Sequence, residues 1–222
     1  MIWRGISAGL FRYAAGMRRV ALLLAPVLLA LCLGGCGDTL WSALLPAGLG
    51  PPGRDIEPAG PALRLTLRGR TSHAALVQET GERRLWRTAG NQVVETDGGR
   101  VVATSGFGEM LTATRFDGPD PLSAPAALLD RPALARRMVD LMRADRAPEG
   151  MRFGVQVECR LEAKPTEEAA VLLVEETCRA AGEGRFTNRF WVAAEGGAVL
   201  QARQWVGPGL PMLTVEFLSP AS

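Results

Sequence analysis

From Ala62 onward the chain alternates. Leu63, Leu65 and Leu67 are interleaved with Arg64, Thr66 and Arg68, the period of a strand with one face buried and the other in water. Comparable segments follow at 74–78, 84–86, 92–95, 101–104 and 110–115, and again at 152–161, 170–178, 185–194, 199–206 and 212–218. Turn formers separate the first group, at Thr80-Gly81, Ala89-Gly90-Asn91 and Gly106. Asp97-Gly98-Gly99, set between Val93-Val94 and Val101-Val102, predicts a tight hairpin, because glycine takes the positive φ such turns require. One segment keeps a different period. Within 130–145, Leu134, Met138, Leu141 and Met142 recur at helical spacing, Asp130 suits an N-cap, Pro132 a first turn and Pro148 the stop. These elements predict a mainly β fold: a single curved antiparallel sheet, half-barrel or barrel-like, packed on one α-helix.

The first sixty residues read differently. Arg18 and Arg19 precede an apolar run from Val20 to Leu33, which ends in Gly34-Gly35-Cys36. Basic, then apolar, then small residues before a cysteine is the pattern of a lipoprotein export signal, and the run is too short for a comfortable membrane span. An ordinary secretory signal or a single-pass anchor that happens to contain a cysteine is the plainer alternative. Met17 would open a more compact signal than Met1 does. On this reading residues 1–35 are removed and Cys36 carries the acyl chains. Each buried methylene contributes about 0.8 kcal/mol, so the chain is held on a membrane through its lipid. Gly37 after the cysteine, in place of aspartate, points to the periplasmic face of the outer membrane. Residues 36–61 contain Pro46, Pro51, Pro52, Pro58 and Pro61 and predict a tether, leaving 62–222 as a single β-rich domain.

Charge changes the picture mainly by exclusion. The 222-residue chain has a formal charge of +2, but Arg4, Arg12, Arg18 and Arg19 belong to the signal, so the mature chain stands at −2. Nothing in that balance points to a nucleic-acid partner. Lys164 is the sole lysine and His73 the sole histidine, which removes multi-histidine metal sites and confines any Ser-His-Asp arrangement to one residue. No metal or cofactor is expected. With Cys32 and Cys36 assigned to the signal, Cys159 and Cys178 are the remaining thiols. In an oxidising periplasm they are expected to form a disulfide across paired strands, the alternative being two buried thiols packed as small apolar groups.

Candidate chemistry is sparse. Glu158, Glu175 and Glu176 could supply a glycosidase-like carboxylate pair, but successive residues on a strand face opposite sides, so a solvated strand edge is the expectation. Gly99, Gly106 and Gly108 lack the strand-loop-helix setting of a phosphate loop. Trp86, Trp191 and Trp205 fit two roles, stacking on sugar rings or packing in the core. No catalytic residue is expected.

Three stretches carry a family resemblance: Asn188-Arg189-Phe190-Trp191-Val192, then Gly196-Gly197-Ala198-Val199, then Gln204-Trp205-Val206-Gly207-Pro208-Gly209-Leu210-Pro211. Upstream, Trp86, the run Gly99-Arg100-Val101-Val102-Ala103-Thr104-Ser105-Gly106 and Asp120-Pro121-Leu122 follow in order. The chain resembles the YjbF/GfcB lipoproteins associated with exopolysaccharide and group 4 capsule secretion. The resemblance implies a β-rich accessory lipoprotein facing the periplasm, with no catalytic residues. The leading expectation that follows is a non-enzymatic assembly factor for polysaccharide export, with an export barrel or a periplasmic export protein as partner. Trp86, Asn188, Trp191, Gln204 and Trp205 then become candidate glycan or partner contacts. The alternative is a carrier that holds a lipid or glycan in a concave sheet. The Gly34-Gly35-Cys36 signal yields a direct expectation: Cys36→Ala should accumulate as unprocessed precursor and take up no label from a radioactive fatty acid supplied to the cells.

Overall fold

The computed structural model describes residues 60–218; the export signal, Cys36 and all but the end of the tether lie outside them. Twelve strands form one antiparallel sheet. The first five are β1 Ala62–Leu67, β2 Arg70–Thr80, β3 Arg83–Thr88, β4 Val93–Asp97 and β5 Arg100–Ser105. The remaining seven are β6 Glu109–Phe116, β7 Ala133–Arg143, β8 Arg152–Pro165, β9 Val171–Ala180, β10 Gly184–Ala193, β11 Val199–Gln204 and β12 Leu213–Phe217. Their order across the sheet is β5-β4-β3-β2-β1-β12-β11-β10-β9-β8-β7-β6. The chain therefore makes two meanders joined where β12 pairs with β1, Leu63 opposite Phe217. The sheet curls until its two edges, β5 and β6, come together across the short Gly106–Gly108 connection, nearly closing a barrel. The register shifts within the β2–β3, β4–β5, β6–β7, β7–β8 and β10–β11 pairs, and such bulges bend a sheet that would otherwise stay open. Among the described residues one α-helix occurs, the four-residue α1 (Ala127–Asp130), which packs on β8 from the long β6–β7 connection.

The segment predicted as a helix is strand β7. Its inward row is Ala133, Ala135, Arg137, Val139 and Leu141, and Leu134, Arg136 and Met138 face outward. Leu134 and Met138, which suggested helical spacing, are exposed at 80% and 44%. The alternation was masked because a charged residue, Arg137, occupies the inward row.

Inside, two apolar clusters meet. One gathers Leu111, Val139, Val157, Leu161, Val174, Phe190 and their neighbours; the other gathers Leu63, Leu65, Trp86, Val94, Leu213 and Val215. Phe217 packs against both and meets Trp86 edge to face at 6.2 Å. Cys159 and Cys178 stand opposite each other on β8 and β9 and are joined by a disulfide inside the first cluster.

The turns alternate between the two ends of the barrel. The tether end receives residue 60 and releases Leu218, and holds the β2–β3, β4–β5, β6–β7, β8–β9 and β10–β11 connections; the others lie at the distal end. The predicted hairpin is present, with Gly98 and Gly99 at φ 54° and 87° between Asp97 and Arg100, which face each other. Gly99 has a second reason to be glycine: a Cβ there would lie 2.5 Å from the Val199 Cβ, where the β5 edge folds in against β11. Gly99→Ala is expected to lose about 3 kcal/mol, from left-handed strain plus overpacking. Gly196→Ala, at φ 76° in open space, should lose only about 1 kcal/mol. Urea melts of the two variants compare them directly.

Candidate functional site

β9 places Leu172, Val174, Glu176, Cys178 and Ala180 in its buried row. Glu176 is thus carried into the core by the same alternation that buries its apolar neighbours, and it is fully buried. Burying a lone carboxylate is prohibitive. The sheet answers with donors from three other strands. Arg100 of β5 donates Nη1–H to Oε2 at 2.9 Å, Arg137 of β7 donates Nη1–H to Oε1 at 2.8 Å, and Asn188 of β10 donates Nδ2–H to Oε2 at 2.5 Å. Arg100 also grips Asp120, Nε to Oδ2 at 2.5 Å and Nη2 to Oδ1 at 3.1 Å. Asp120 in turn caps the 3-10 turn Pro121–Ser123 by accepting from the Leu122 amide. Aromatic faces complete the shell: the Arg100 guanidinium lies 4.8 Å from the Phe190 ring centre and 5.2 Å from that of Phe116, and Arg137 lies 5.5 Å from Phe116.

Two cations and two carboxylates make the cluster neutral. Burial alone would raise the Glu176 pKa, but Arg100 and Arg137 overcome it and hold it at about 2. Such a carboxylate has no proton to give at neutral pH and no free face toward a substrate, which suits it to holding strands together rather than to acid–base chemistry. Glu175, its neighbour, faces outward and pairs with Lys164 and Arg189, each at 2.8 Å. Glu158 is exposed and lies 3.5 Å from Arg136. The three glutamates therefore do not converge. Only Glu158 and Glu175 fit the solvated-edge expectation; Glu176 departs from it because its place in the strand frame is an inward one. His73 stands opposite Arg64 rather than a carboxylate. The two cysteine sulfurs lie beside Glu176 but are bonded to each other, which leaves no thiolate for a metal.

The residues that carried the resemblance are largely inside. Gln204, at the end of β11, reaches β5 and makes both bonds a neighbouring strand would make: its Oε1 accepts from the Val101 amide at 3.0 Å and its Nε2 donates to the Val101 carbonyl at 2.7 Å. At the same seam the Leu111 amide of β6 donates to Thr104 Oγ1 at 2.9 Å. Asn188 bridges in the other direction, its Oδ1 accepting from the Trp205 amide at 2.8 Å. Trp205, 9% exposed, stacks on Phe186 with ring centres 4.6 Å apart and plugs the end of the first cluster. Trp86 is buried and donates to Thr96 Oγ1 at 2.9 Å. Of the five candidate contacts, Trp191 alone lies on the outer face, half-buried; Trp86, Asn188, Gln204 and Trp205 are buried. Arg100, Arg137, Asp120 and Glu176 were not foreseen as a group.

Beside this cluster, at the tether end, lies a cavity of about 690 Å³. Glycine turns rim it (Gly81, Gly98, Gly196, Gly197), Arg100 and Asp120 form part of its floor, and Phe116 and Phe217 contribute to its wall.

Glu176→Gln should leave two guanidiniums facing a neutral amide in the core and lose about 3–5 kcal/mol at pH 7. The pH dependence has a definite sign. The folded pKa lies below the unfolded value of 4.5, so the carboxylate's contribution is complete above pH 4.5 and is lost as pH falls toward about 2. Urea melts at pH 7 and pH 3 should show the gap between wild type and Glu176→Gln narrowing in acid.

Comparison with known proteins adds identity to this geometry. No curated protein matches the chain. A crystal structure described as the hypothetical lipoprotein YmcC from Escherichia coli (K12) is 20% identical, covers 72% of this chain and 87% of its own, and superposes with a TM-score of 0.61, a likeness of fold. The family model for the group 4 capsule polysaccharide lipoprotein GfcB, YjbF, matches residues 59–218, the whole of the barrel, and the chain belongs to that YjbF family.

Proposed function

We propose that this chain is a non-enzymatic accessory factor for capsule or exopolysaccharide assembly and export, held by its lipid on the periplasmic face of the outer membrane. The observation that carries this reading is the filled interior. Two apolar clusters and a neutral, fully bonded ion network occupy the barrel, and the most deeply buried acid is committed to two arginines. Family membership supplies the polysaccharide context. The lipid anchor supplies the mechanism: confinement to a surface raises the local concentration of the barrel near an export channel or periplasmic partner without any new contact. A lipid carrier would need an apolar hollow, whereas the cavity beside the network mixes glycine backbone and charged side chains with Phe116, Leu122, Val199 and Phe217.

Deleting the gene should lower surface or secreted polysaccharide while lipid-linked precursors continue to form, as measured by glycan staining of cells and medium and by precursor analysis of membranes. Unchanged polysaccharide in a strain without a paralogue would count against the proposal.

A further inference from the structure

The two ends of the barrel carry opposite charge. Counting each loop with the two strand residues on either side, the distal end has nine arginines against four carboxylates, and the tether end six basic against ten acidic groups. At the distal end Asp145 pairs with Arg143 and Glu183 with Arg152, while Glu109 accepts from the Gly209 amide. Arg70, Arg87, Arg146, Arg179, Arg185 and Arg203 are exposed and take part in none of the ion pairs among the described residues.

A second observation is independent of the count. Arg179 and Arg185 stand directly opposite each other on β9 and β10, where like charges destabilise a sheet. Glu158 faces Arg179 from the other side, but its carboxylate is within ion-pair distance of Arg136. The fold therefore sustains an unneutralised arginine pair that stability does not call for. Phe153, 70% exposed at the same end, adds an aromatic face of the kind that stacks on a sugar ring.

We infer that the distal end is a binding surface for an acidic polysaccharide, one bearing carboxylate or phosphate groups along its length. Guanidinium forks match such anions in geometry as well as charge. Separated, exposed arginines distributed around this end suit an extended polyanion whose charges recur along its length. The described chain enters and leaves the barrel at the opposite, acidic end. The inference rests on the polysaccharide reading above and names the class of glycan.

The test uses the lipidated full chain in phosphatidylcholine vesicles, with polygalacturonate as probe and dextran as neutral control. Binding of polygalacturonate but not dextran is expected, falling steeply toward about 0.5 M NaCl as charges are screened. Arg179→Gln/Arg185→Gln/Arg203→Gln should weaken it about tenfold or more, with a melting temperature unchanged or raised. Glu82→Gln/Glu167→Gln/Glu168→Gln, at the tether end, should leave it unchanged. Equal binding of dextran, or an arginine triple variant that melts normally and binds like wild type, overturns the inference. So does quenching of a fluorophore on Phe153→Cys by nitroxide headgroups in vesicles containing phosphatidylglycerol, which would assign these arginines to the membrane. These readouts are independent of the deletion phenotype, so failure of either is distinguishable from failure of the other.

Discussion

Glu176 ties four strands to one point. Its carboxylate accepts from side chains of β5, β7 and β10 while its backbone lies in β9, so β5, at the far edge of the sheet order, is fixed to the β7–β10 region across the interior. An apolar contact at the same place would tolerate small shifts, since dispersion is non-directional. A carboxylate flanked by two guanidiniums does not, because each donor must keep its distance and angle in a medium with no water to substitute. The ion cluster thus determines how far the sheet curls. Arg100 extends the constraint through Asp120 to the long β6–β7 connection, so the loop carrying α1 is positioned by the same charges.

The second constraint is the seam. A sheet that almost closes leaves two edges whose amides and carbonyls need partners. Here side chains stand in for the missing ladder: Gln204 serves the Val101 amide and carbonyl, and Thr104 serves the Leu111 amide. Since β5 folds toward β11 to receive Gln204, only a residue without a side chain fits at position 99, and the hairpin glycine and the buried glutamine become parts of one arrangement.

Legibility in the sequence divided along physical lines. Strands whose inward row is wholly apolar, such as β1 with Leu63 and Leu65, were read directly, as were the Gly98-Gly99 turn and the Cys159–Cys178 pair. Strand β7 was not, because Arg137 interrupts its buried row and Leu134 and Met138 lie on its exposed one. Glu176 raised the same difficulty. The signal was present in the frame Leu172, Val174, Cys178, Ala180, which requires position 176 to face inward. A reader who assigns charge to the surface discards that frame, and the members of an ion cluster come from strands whose proximity only the closed topology supplies. Asn188 and Gln204 were singled out by resemblance, but their burial depends on partners on other strands.

The up-and-down order has a consequence in time. Nearly every strand pairs with its neighbour in sequence, so most of the sheet can form by short loop closures, which are fast. The one pairing between strands distant in sequence is that of β1 with β12, Leu63 facing Phe217 near the other end of the domain. As the chain is synthesised β1 emerges first and can pair on one side with β2, but its other edge stays open until the last strand has arrived. The barrel is therefore completed only when the whole domain has been made, and until then β1 presents an exposed edge to any other strand that could pair with it.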